Sequence, residues 1–119
     1  MKKIDLEKIH QEIETMVLDR DWDQFHTIKN LSMALNVESS ELMEIFQWMN
    51  ESQSNQAKDN PLLKSQIEDE VADVFVYLLR IVNKMEIDLE GATLRKIKKN
   101  CEKYPVEKSK GNATKYNKL

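Results

Sequence analysis

The chain has 119 residues, of which 40% are hydrophobic and 33% charged, and its formal net charge at pH 7 is −3. This length predicts one domain over residues 1–119, with a core large enough to fold without disulfides. With only 2 glycines and 2 prolines, the chain lacks the turns of a β-sandwich and the glycine-rich loops of Walker and Rossmann nucleotide sites. The negative charge argues against a broad basic surface for nucleic-acid polymers.

The composition also indicates the cellular compartment in which the protein is expected. A single cysteine, Cys101, rules out an internal disulfide and is typical of a reducing environment. No apolar run approaches the length of a membrane span, and charged residues interrupt the N-terminal stretch too early for a signal peptide. We therefore expect a soluble cytoplasmic protein that has no membrane partner.

The first predicted helix covers residues 4–19, where apolar residues recur at helical spacing. It carries Glu7 and His10 as a Glu-x-x-His pair, but di-iron bundles need two such pairs, so we interpret this one as an exposed contact between neighbouring turns. Residues 20–30 interrupt the periodicity, and Thr27 is the expected N-cap of the next helix. The aromatic residues in this link are packing candidates on sequence alone.

Two long helices are predicted next, over about residues 28–50 and 62–85. Between them, residues 50–60 are polar and lack large apolar groups, which predicts a flexible loop. A fourth helix covers about residues 89–103, and the tail beyond Pro105 has no periodicity. Four helices with short links indicate an all-α fold, a four-helix bundle with an irregular C-terminal tail.

The second and third helices carry acids within their apolar faces. Glu38, Glu41 and Glu44 recur every three residues, so at about 100° per residue they follow one side of the helix together with apolar residues. On the third helix, Glu70 falls inside the apolar stripe and Asp73 lies at its edge. Burying unpartnered carboxylates is costly. Because few basic residues occupy inward positions, a divalent cation is the expected compensation.

We interpret Glu41, Glu44, Glu70 and Asp73 as the ligands of one metal site shared by two facing helices. An oxygen-only ligand set favours Mg²⁺, with Mn²⁺ as a substitute, over zinc or iron. Mg²⁺ shares its coordination sphere with substrate phosphates, which points to a phosphorylated substrate. Glu38 and Glu41 are the candidate catalytic residues, because Glu38 lies one turn before Glu41 and can hold or deprotonate a water molecule.

Polar residues at the start of the second helix and on the fourth helix are candidates for phosphate and sugar contacts. These residues are Lys29, Asn30, Lys96, Asn100, Lys103 and Tyr104. Lysines and amides at these positions offer hydrogen-bond donors that a triphosphate requires. They complete the set of candidates that the residue pattern itself indicates.

The acidic pairs Glu41-x-x-Glu44 and Glu70-x-x-Asp73 resemble those of the MazG-like all-α nucleoside triphosphate pyrophosphohydrolases. Four segments resemble, in order, those of the small dCTP pyrophosphatase-like branch: RDWDQFHTIKNLSMAL, ELMEIFQW, DEVADVFVYLL and KYPVEKSKGNATKY. The resemblance implies Mg²⁺-dependent hydrolysis of nucleoside triphosphates, to monophosphate and pyrophosphate. It favours dCTP-like or modified pyrimidine deoxynucleotides as substrates and a house-cleaning role in the nucleotide pool.

The same resemblance implies further roles and an assembly. Trp22, His26 and Trp48 become candidates for the base pocket, and Tyr77, which lies beside Asp73, joins the substrate-binding set. The resemblance also implies a homodimer or homotetramer whose neighbouring subunits share active sites. Apolar surface on the second and third helices agrees with such an assembly, because four helices of this length leave part of it uncovered.

Two alternatives stay open on the sequence. A non-catalytic helical module that binds a nucleotide or a partner helix would have its acids pointing to solvent or paired with lysines. A carboxylate-bridged di-iron protein would need the second Glu-x-x-His pair that is missing. The base and sugar preference, the number of metal ions and the identity of the general base are also open.

Overall fold

A computed structural model describes all 119 residues, and every regular element in it is helical, as the sequence predicts. The four predicted long helices are α1 (Leu6–Asp19), α2 (Ile28–Phe46), α4 (Pro61–Lys84) and α5 (Leu89–Lys103). Two short helices, α3 (Glu51–Gln56) and α6 (Val106–Ser109), accompany them. Short 3-10 helices cover Asp23–Phe25, Ala57–Asp59 and Tyr116–Lys118. The predicted all-α class is therefore confirmed.

The chain divides into two compact units, Met1–Met85 and Glu86–Leu119. In the first unit, α2 and α4 pack along each other more extensively than any other pair of elements. The most deeply buried side chains of this unit are Val17 and Leu31, each 1% exposed. The packing of α2 against α4 matters for function because it brings together the two helices that carry the acidic residues. No helix is both long and apolar enough to cross a membrane.

The start of α2 follows the predicted capping pattern. The Thr27 side chain accepts a hydrogen bond from the Asn30 backbone at 3.1 Å, which satisfies a donor at the first turn. The Asn30 side-chain amide donates to the Phe25 carbonyl oxygen at 2.9 Å and so ties the preceding 3-10 turn to the helix. Asn30, a predicted substrate contact, therefore has a structural hydrogen bond of its own.

The prediction of a flexible loop over residues 50–60 is wrong, because most of this segment is helical. Asn50 and Gln53 form a reciprocal cap of α3, in which each side chain accepts from the other's backbone, at 2.8 and 2.9 Å. Asn60 then caps α4 by accepting from the Leu63 backbone at 3.1 Å, and Pro61 stands at the first turn. Local hydrogen bonding thus orders a segment whose polarity suggested mobility.

The second unit consists of α5 and a tail that is more regular than the sequence predicts. Tyr104 and Tyr116 meet edge to face with ring centroids 6.1 Å apart, and the Lys103 ammonium lies 4.8 Å from the centre of the Tyr116 ring. Such aromatic and cation–π contacts fold the tail back onto the end of α5. The turn that follows α6 contains Gly111, whose φ of 79° is the left-handed conformation that glycine adopts without strain.

Candidate metal and nucleotide site

Three glutamates from α2 and α4 converge on one small region. Glu38 and Glu41 lie one turn apart on α2, and Glu70 faces them from α4. Each contributes a carboxylate oxygen, and these three oxygens all lie within 4.8 Å of one another. The three-residue recurrence of acids on α2 and the apolar stripe of α4 are the sequence features that produce this convergence. We call this group the carboxylate cluster.

The carboxylate cluster has no basic partner. The Oε2 atoms of Glu38 and Glu70 are both buried and have no hydrogen-bond partner. The ion pairs of the protein all involve Arg80 or Lys84 with Glu14 or Asp23, so none reaches the cluster. Buried carboxylate oxygens are rarely left in this state, because the loss of hydration is not compensated. Buried acids of this kind fit a site that binds a cation.

The pKa values of the cluster reflect the same lack of hydration and of positive charge. Loss of hydration raises the pKa of Glu38 to about 7, and the neighbouring acids Glu41, Asp73 and Glu70 add to the effect. Burial also raises the pKa of Glu70, and Glu41 adds to that shift. The pKa of the Tyr77 hydroxyl is raised by burial and by the charges of Glu38 and Asp73. Negative charge is therefore concentrated in this region.

The carboxylate cluster fits a hard divalent cation. Two oxygens bound to the same Mg²⁺ at about 2.1 Å lie at most about 4.2 Å apart. Neighbouring oxygens around an octahedral Mg²⁺ lie closer still, about 3.0 Å apart. The three oxygens, all within 4.8 Å of one another, would therefore reach one cation after the flexible side chains close by roughly 2 Å or less. The donor set is oxygen alone, which favours Mg²⁺ or Mn²⁺ over softer metals. A cation would also supply the charge and the bonds that the buried oxygens lack.

The predicted metal ligands do not all lie in the carboxylate cluster. Glu44 lines the same depression as Glu41 and Glu70, a cavity of about 590 Å³, but it stands outside the group of three oxygens. Asp73 also stands outside that group, although its charge acts on both Glu38 and Glu70. Glu38, which the sequence suggested as a holder of water, lies in the group itself. The sequence contained this signal in the recurrence of acids every three residues.

A second cavity of about 290 Å³ lies along α4, and Asp73 is part of its wall. Its polar and aromatic lining includes Trp22, His26 and Tyr77. These are three of the residues predicted to bind substrate, and they come from the link before α2 and from α4. We call this cavity the aromatic pocket. Since Asp73 also acts electrostatically on Glu38 and Glu70, the aromatic pocket adjoins the carboxylate cluster.

The aromatic pocket contains a residue that the sequence pattern did not single out. Arg80 lines the pocket and is 2% exposed. It bonds to Glu14, Asp23 and His26, residues that lie far from it in the sequence. Within the apolar run of α4, a single arginine carries no local sign that its partners lie on other elements. Only the tertiary structure shows that it is the central cation of the first unit.

Two other predicted substrate contacts of the first unit, Trp48 and Lys29, do not line the aromatic pocket. Trp48 is 90% exposed and lines a different depression, with Met49 and Leu63. Lys29 is exposed at the start of α2. Four further candidates belong to the second unit, where Lys103 contacts Tyr116: Lys96, Asn100, Lys103 and Tyr104. Their roles stay predictions.

The Glu7-x-x-His10 pair is not an exposed contact between neighbouring turns of α1. His10 is half-buried, and it accepts a hydrogen bond from the side-chain amide of Asn83 on α4. Glu7 is exposed, and neither residue lies in the carboxylate cluster. His10 therefore links α1 to α4, and the pair offers no support for a di-iron centre.

Comparison with known proteins gives the family of this chain. Residues 33–119 match the model of the MazG-like family. Rat dCTP pyrophosphatase 1 is 35% identical over 115 residues, 97% of this chain, and the human protein of that name is 32% identical over the same length. The chain spans 66% of the length of these relatives. A pyrophosphatase from Archaeoglobus fulgidus, known from a crystal structure, is 33% identical in sequence to this chain. The two structures superpose with a TM-score of 0.78 over 88% of this chain and 96% of the other.

Proposed function

This chain belongs to the MazG-like family, and we propose that it is a nucleoside triphosphate pyrophosphohydrolase that requires Mg²⁺. Its substrates are deoxynucleoside triphosphates of the dCTP type or modified pyrimidine nucleotides, and its products are the monophosphate and pyrophosphate. The single observation that carries this proposal is the carboxylate cluster, whose buried oxygens on Glu38 and Glu70 have no partner in the protein. The relatives named dCTP pyrophosphatase 1 support the choice of substrate class.

The carboxylate cluster supplies the ligands. Glu38, Glu41 and Glu70 would hold the cation. Glu44, which lines the same depression, and Asp73, whose charge acts on Glu38, remain the further ligands that we propose. Bound there, Mg²⁺ would polarise the phosphoryl group and offset the charge of the leaving pyrophosphate. Because the site is so negative, a triphosphate can approach only with that charge compensated.

The reaction itself needs few groups from the protein. A water oxygen attacks the α-phosphorus, the bond from this phosphorus to the bridging oxygen breaks, and pyrophosphate leaves. The proton of the water passes to a carboxylate, for which Glu38 and Glu41 are the candidates. Both lie in the carboxylate cluster, so either would be available to hold the attacking water. Positioning of this kind accounts for most of the catalysis in phosphoryl transfer.

The aromatic pocket is the proposed site for the base. Trp22 offers an indole surface for stacking, while Tyr77 and His26 offer polar atoms at the walls. With a volume of about 290 Å³, the cavity is at the small end of ligand pockets. It suits a single base better than a whole nucleotide. The triphosphate would then extend from the pocket past Asp73 toward the carboxylate cluster.

We also propose an oligomeric state and a cellular location for the protein. We expect a homodimer or homotetramer, because many large apolar side chains are exposed, among them Trp48 at 90%, Leu62 at 72% and Val71 at 50%. An apolar groove of about 780 Å³, lined by residues that include Phe46, Val71 and Phe75, adds to this surface. We also propose a cytoplasmic location, with no nucleic-acid polymer and no membrane as a partner.

The test is a substrate panel. The purified protein is incubated with Mg²⁺ and each deoxynucleoside triphosphate in turn, and pyrophosphate and orthophosphate are measured separately. We expect pyrophosphate release that is fastest with dCTP-type substrates and that is abolished by chelation of Mg²⁺. Glu70→Gln should be inactive, and Asp69→Asn, which changes an exposed neighbour, should be active. Release of orthophosphate in place of pyrophosphate would contradict the proposed reaction. No turnover of any triphosphate would count in favour of a non-catalytic module.

A further inference from the structure

A three-way arginine contact lies behind the aromatic pocket. Arg80 on α4 donates through Nη1 to Glu14 of α1 at 2.7 Å and through Nη2 to Asp23 of the 3-10 turn at 2.9 Å. Its Nε atom donates to Nδ1 of His26 at 3.3 Å. One buried guanidinium therefore ties three separate parts of the first unit together.

The contact with Arg80 determines which ring nitrogen of His26 carries the proton. A guanidinium has only donors and stays charged at all relevant pH values. The imidazole nitrogen that faces it must therefore accept, so it carries no proton. A neutral imidazole with one accepting nitrogen has its proton on the other nitrogen. His26 is thus held with Nδ1 bare and with Nε2–H as a donor.

The surrounding charges agree with a neutral His26. The pKa of His26 is lowered by loss of hydration and by the positive charges of Arg80 and Lys84, and Asp23 opposes this shift. Lys84 contacts the same Asp23 oxygen as Arg80 does, at 3.1 Å. Glu14 and Asp23 together offset the charge of Arg80. His26 therefore does not need a charge of its own, and it can accept from Arg80 as a neutral imidazole.

We propose that Arg80 is a positioning residue, which holds His26 as the Nε2–H tautomer so that the aromatic pocket presents a fixed hydrogen-bond donor to the base of the nucleotide. This inference rests on the proposed function, since it takes the aromatic pocket as the base site. The group recognised is an acceptor on the edge of a pyrimidine, the O2 or unprotonated N3 atom. A fixed donor favours a base that accepts at this point over one that carries N–H there.

The tautomer can be measured on the unmodified protein without any substrate. Two-bond ¹⁵N–¹H correlation spectra of the imidazole groups distinguish the two tautomers, and the His26→Gln variant assigns the signals, since the chain has only 2 histidines. We expect His26 to be neutral with its proton on Nε2 at pH 7.5. In Arg80→Lys, the tautomers should become mixed. A wild-type His26 with its proton on Nδ1, or a charged imidazole, would overturn the proposal.

The recognition step is tested with two substitutions of His26 itself. A glutamine can accept from Arg80 with its carbonyl oxygen and donate to the base with its amide, so His26→Gln should keep KM for dCTP within about threefold. His26→Met lacks both groups, and its KM should rise about tenfold, or about 1.4 kcal/mol, with little change in kcat. Equal KM values for the two variants would overturn the role of the donor.

Variants of Arg80 separate positioning from folding. Arg80→Lys keeps the charge but cannot make three directed bonds, and its KM for dCTP should rise about tenfold while kcat stays within about twofold. Lys84→Met is the matched control, because it removes a cation from Asp23 but leaves the contact of Arg80 with His26, and its KM should stay unchanged. Circular dichroism at the assay temperature confirms folding of each variant.

The outcomes distinguish this proposal from the proposed function. If the protein hydrolyses dCTP but Arg80→Lys and Lys84→Met behave alike, the positioning role is overturned and the activity stands. If no nucleotide is bound or hydrolysed while the Nε2–H tautomer is observed, the proposed function fails, and base recognition fails with it. If the protein hydrolyses dCTP, and KM rises in the variants that lose the Nε2–H donor, the result supports both the proposed function and the positioning role of Arg80.

Discussion

Glu38 on α2 and Glu70 on α4 each bury a carboxylate oxygen that has no hydrogen-bond partner, and the two side chains bring oxygens within 4.8 Å of each other. Two acids in this relationship repel each other and lose hydration without compensation. A helical protein gains no stability from such an arrangement. We propose that a cation binds between the helices and that the substrate shares this cation, which would compensate both acids.

Metal binding should stabilise the protein. A cation that binds only the folded chain adds about 2.7 kcal/mol when its concentration is 100 times its Kd. We therefore expect Mg²⁺ or Mn²⁺ to raise the Tm by several degrees in differential scanning calorimetry, and EDTA to reverse the rise. In Glu38→Gln the rise should disappear, whereas in Asp69→Asn it should persist. A Tm that is indifferent to both cations would argue against a metal site.

The stability of the metal-free protein should fall as the pH rises toward neutrality. Glu38 has a pKa of about 7 in the folded chain against an ordinary value of 4.5. The folded state therefore binds this proton more tightly, so the contribution to stability is full below pH 4.5 and is lost as the pH rises through about 7. Saturating Mg²⁺ should flatten this dependence, because bound carboxylates stay ionised.

The measurement is the Tm in EDTA between pH 4.5 and pH 8, with Glu38→Gln as the comparison. Glutamine cannot ionise, so that variant should show a shallower fall over this range than the unmodified protein. A wild-type profile that rises from pH 5 to pH 8 would contradict the raised pKa of Glu38.

Removal of a charge from the cluster should separate stability from activity. Glu70→Gln keeps the shape of the side chain but removes one of the mutually repelling acids, so the metal-free variant should melt at a higher temperature than the wild type. Turnover should fall by about 100-fold or more, because a ligand of the cation is lost. Thermal melting in EDTA and the pyrophosphate assay measure these opposite effects. A variant that is both less stable in EDTA and active would not fit the account.

The core substitution Leu31→Ala should behave in the opposite way. Leu31 is 1% exposed at the start of α2, and truncation of a fully buried leucine costs about 2–5 kcal/mol. We expect a loss of stability in this range by urea denaturation, with kcat nearly unchanged at temperatures where the variant is folded. A large loss of kcat with intact stability would show that α2 has a role beyond carrying the acids.

Much of the fold was predictable because its signals are local. The spacing of apolar residues indicated the four long helices, and Thr27 marked the start of α2, as the structure confirms. Polarity alone predicts a mobile segment here, so it does not reveal the helix α3. Its capping pair, Asn50 and Gln53, was nevertheless visible in the sequence as a polar cap with an amide three residues later.

The carboxylate cluster was more predictable from the sequence than the aromatic pocket. The acids of the carboxylate cluster share helix faces with apolar residues, so periodicity alone brought Glu38, Glu41 and Glu70 into consideration. The contact of Arg80 with His26 joins residues 54 positions apart, and its bond to Glu14 spans 66. No local pattern encodes a pairing over such distances. The structure was therefore needed to show how the aromatic pocket is held.

Oligomerisation is a further expectation that can be measured. Val71 is 50% exposed in the apolar groove beside Phe46 and Phe75, a surface that a second subunit would cover. Light scattering should give the mass of a dimer or tetramer, and Val71→Glu should lower it by placing a charge in the interface. A stable monomer with full activity would contradict shared active sites.

The most direct test of the central claim follows oxygen from solvent into product. Hydrolysis of dCTP in H₂¹⁸O with Mg²⁺ is analysed by ³¹P NMR and mass spectrometry. If the carboxylate cluster directs water at the α-phosphorus, the label appears in the nucleoside monophosphate and the pyrophosphate is unlabelled. Label in pyrophosphate or in orthophosphate, or label in the monophosphate that persists in Glu41→Gln at the wild-type rate, would contradict the account.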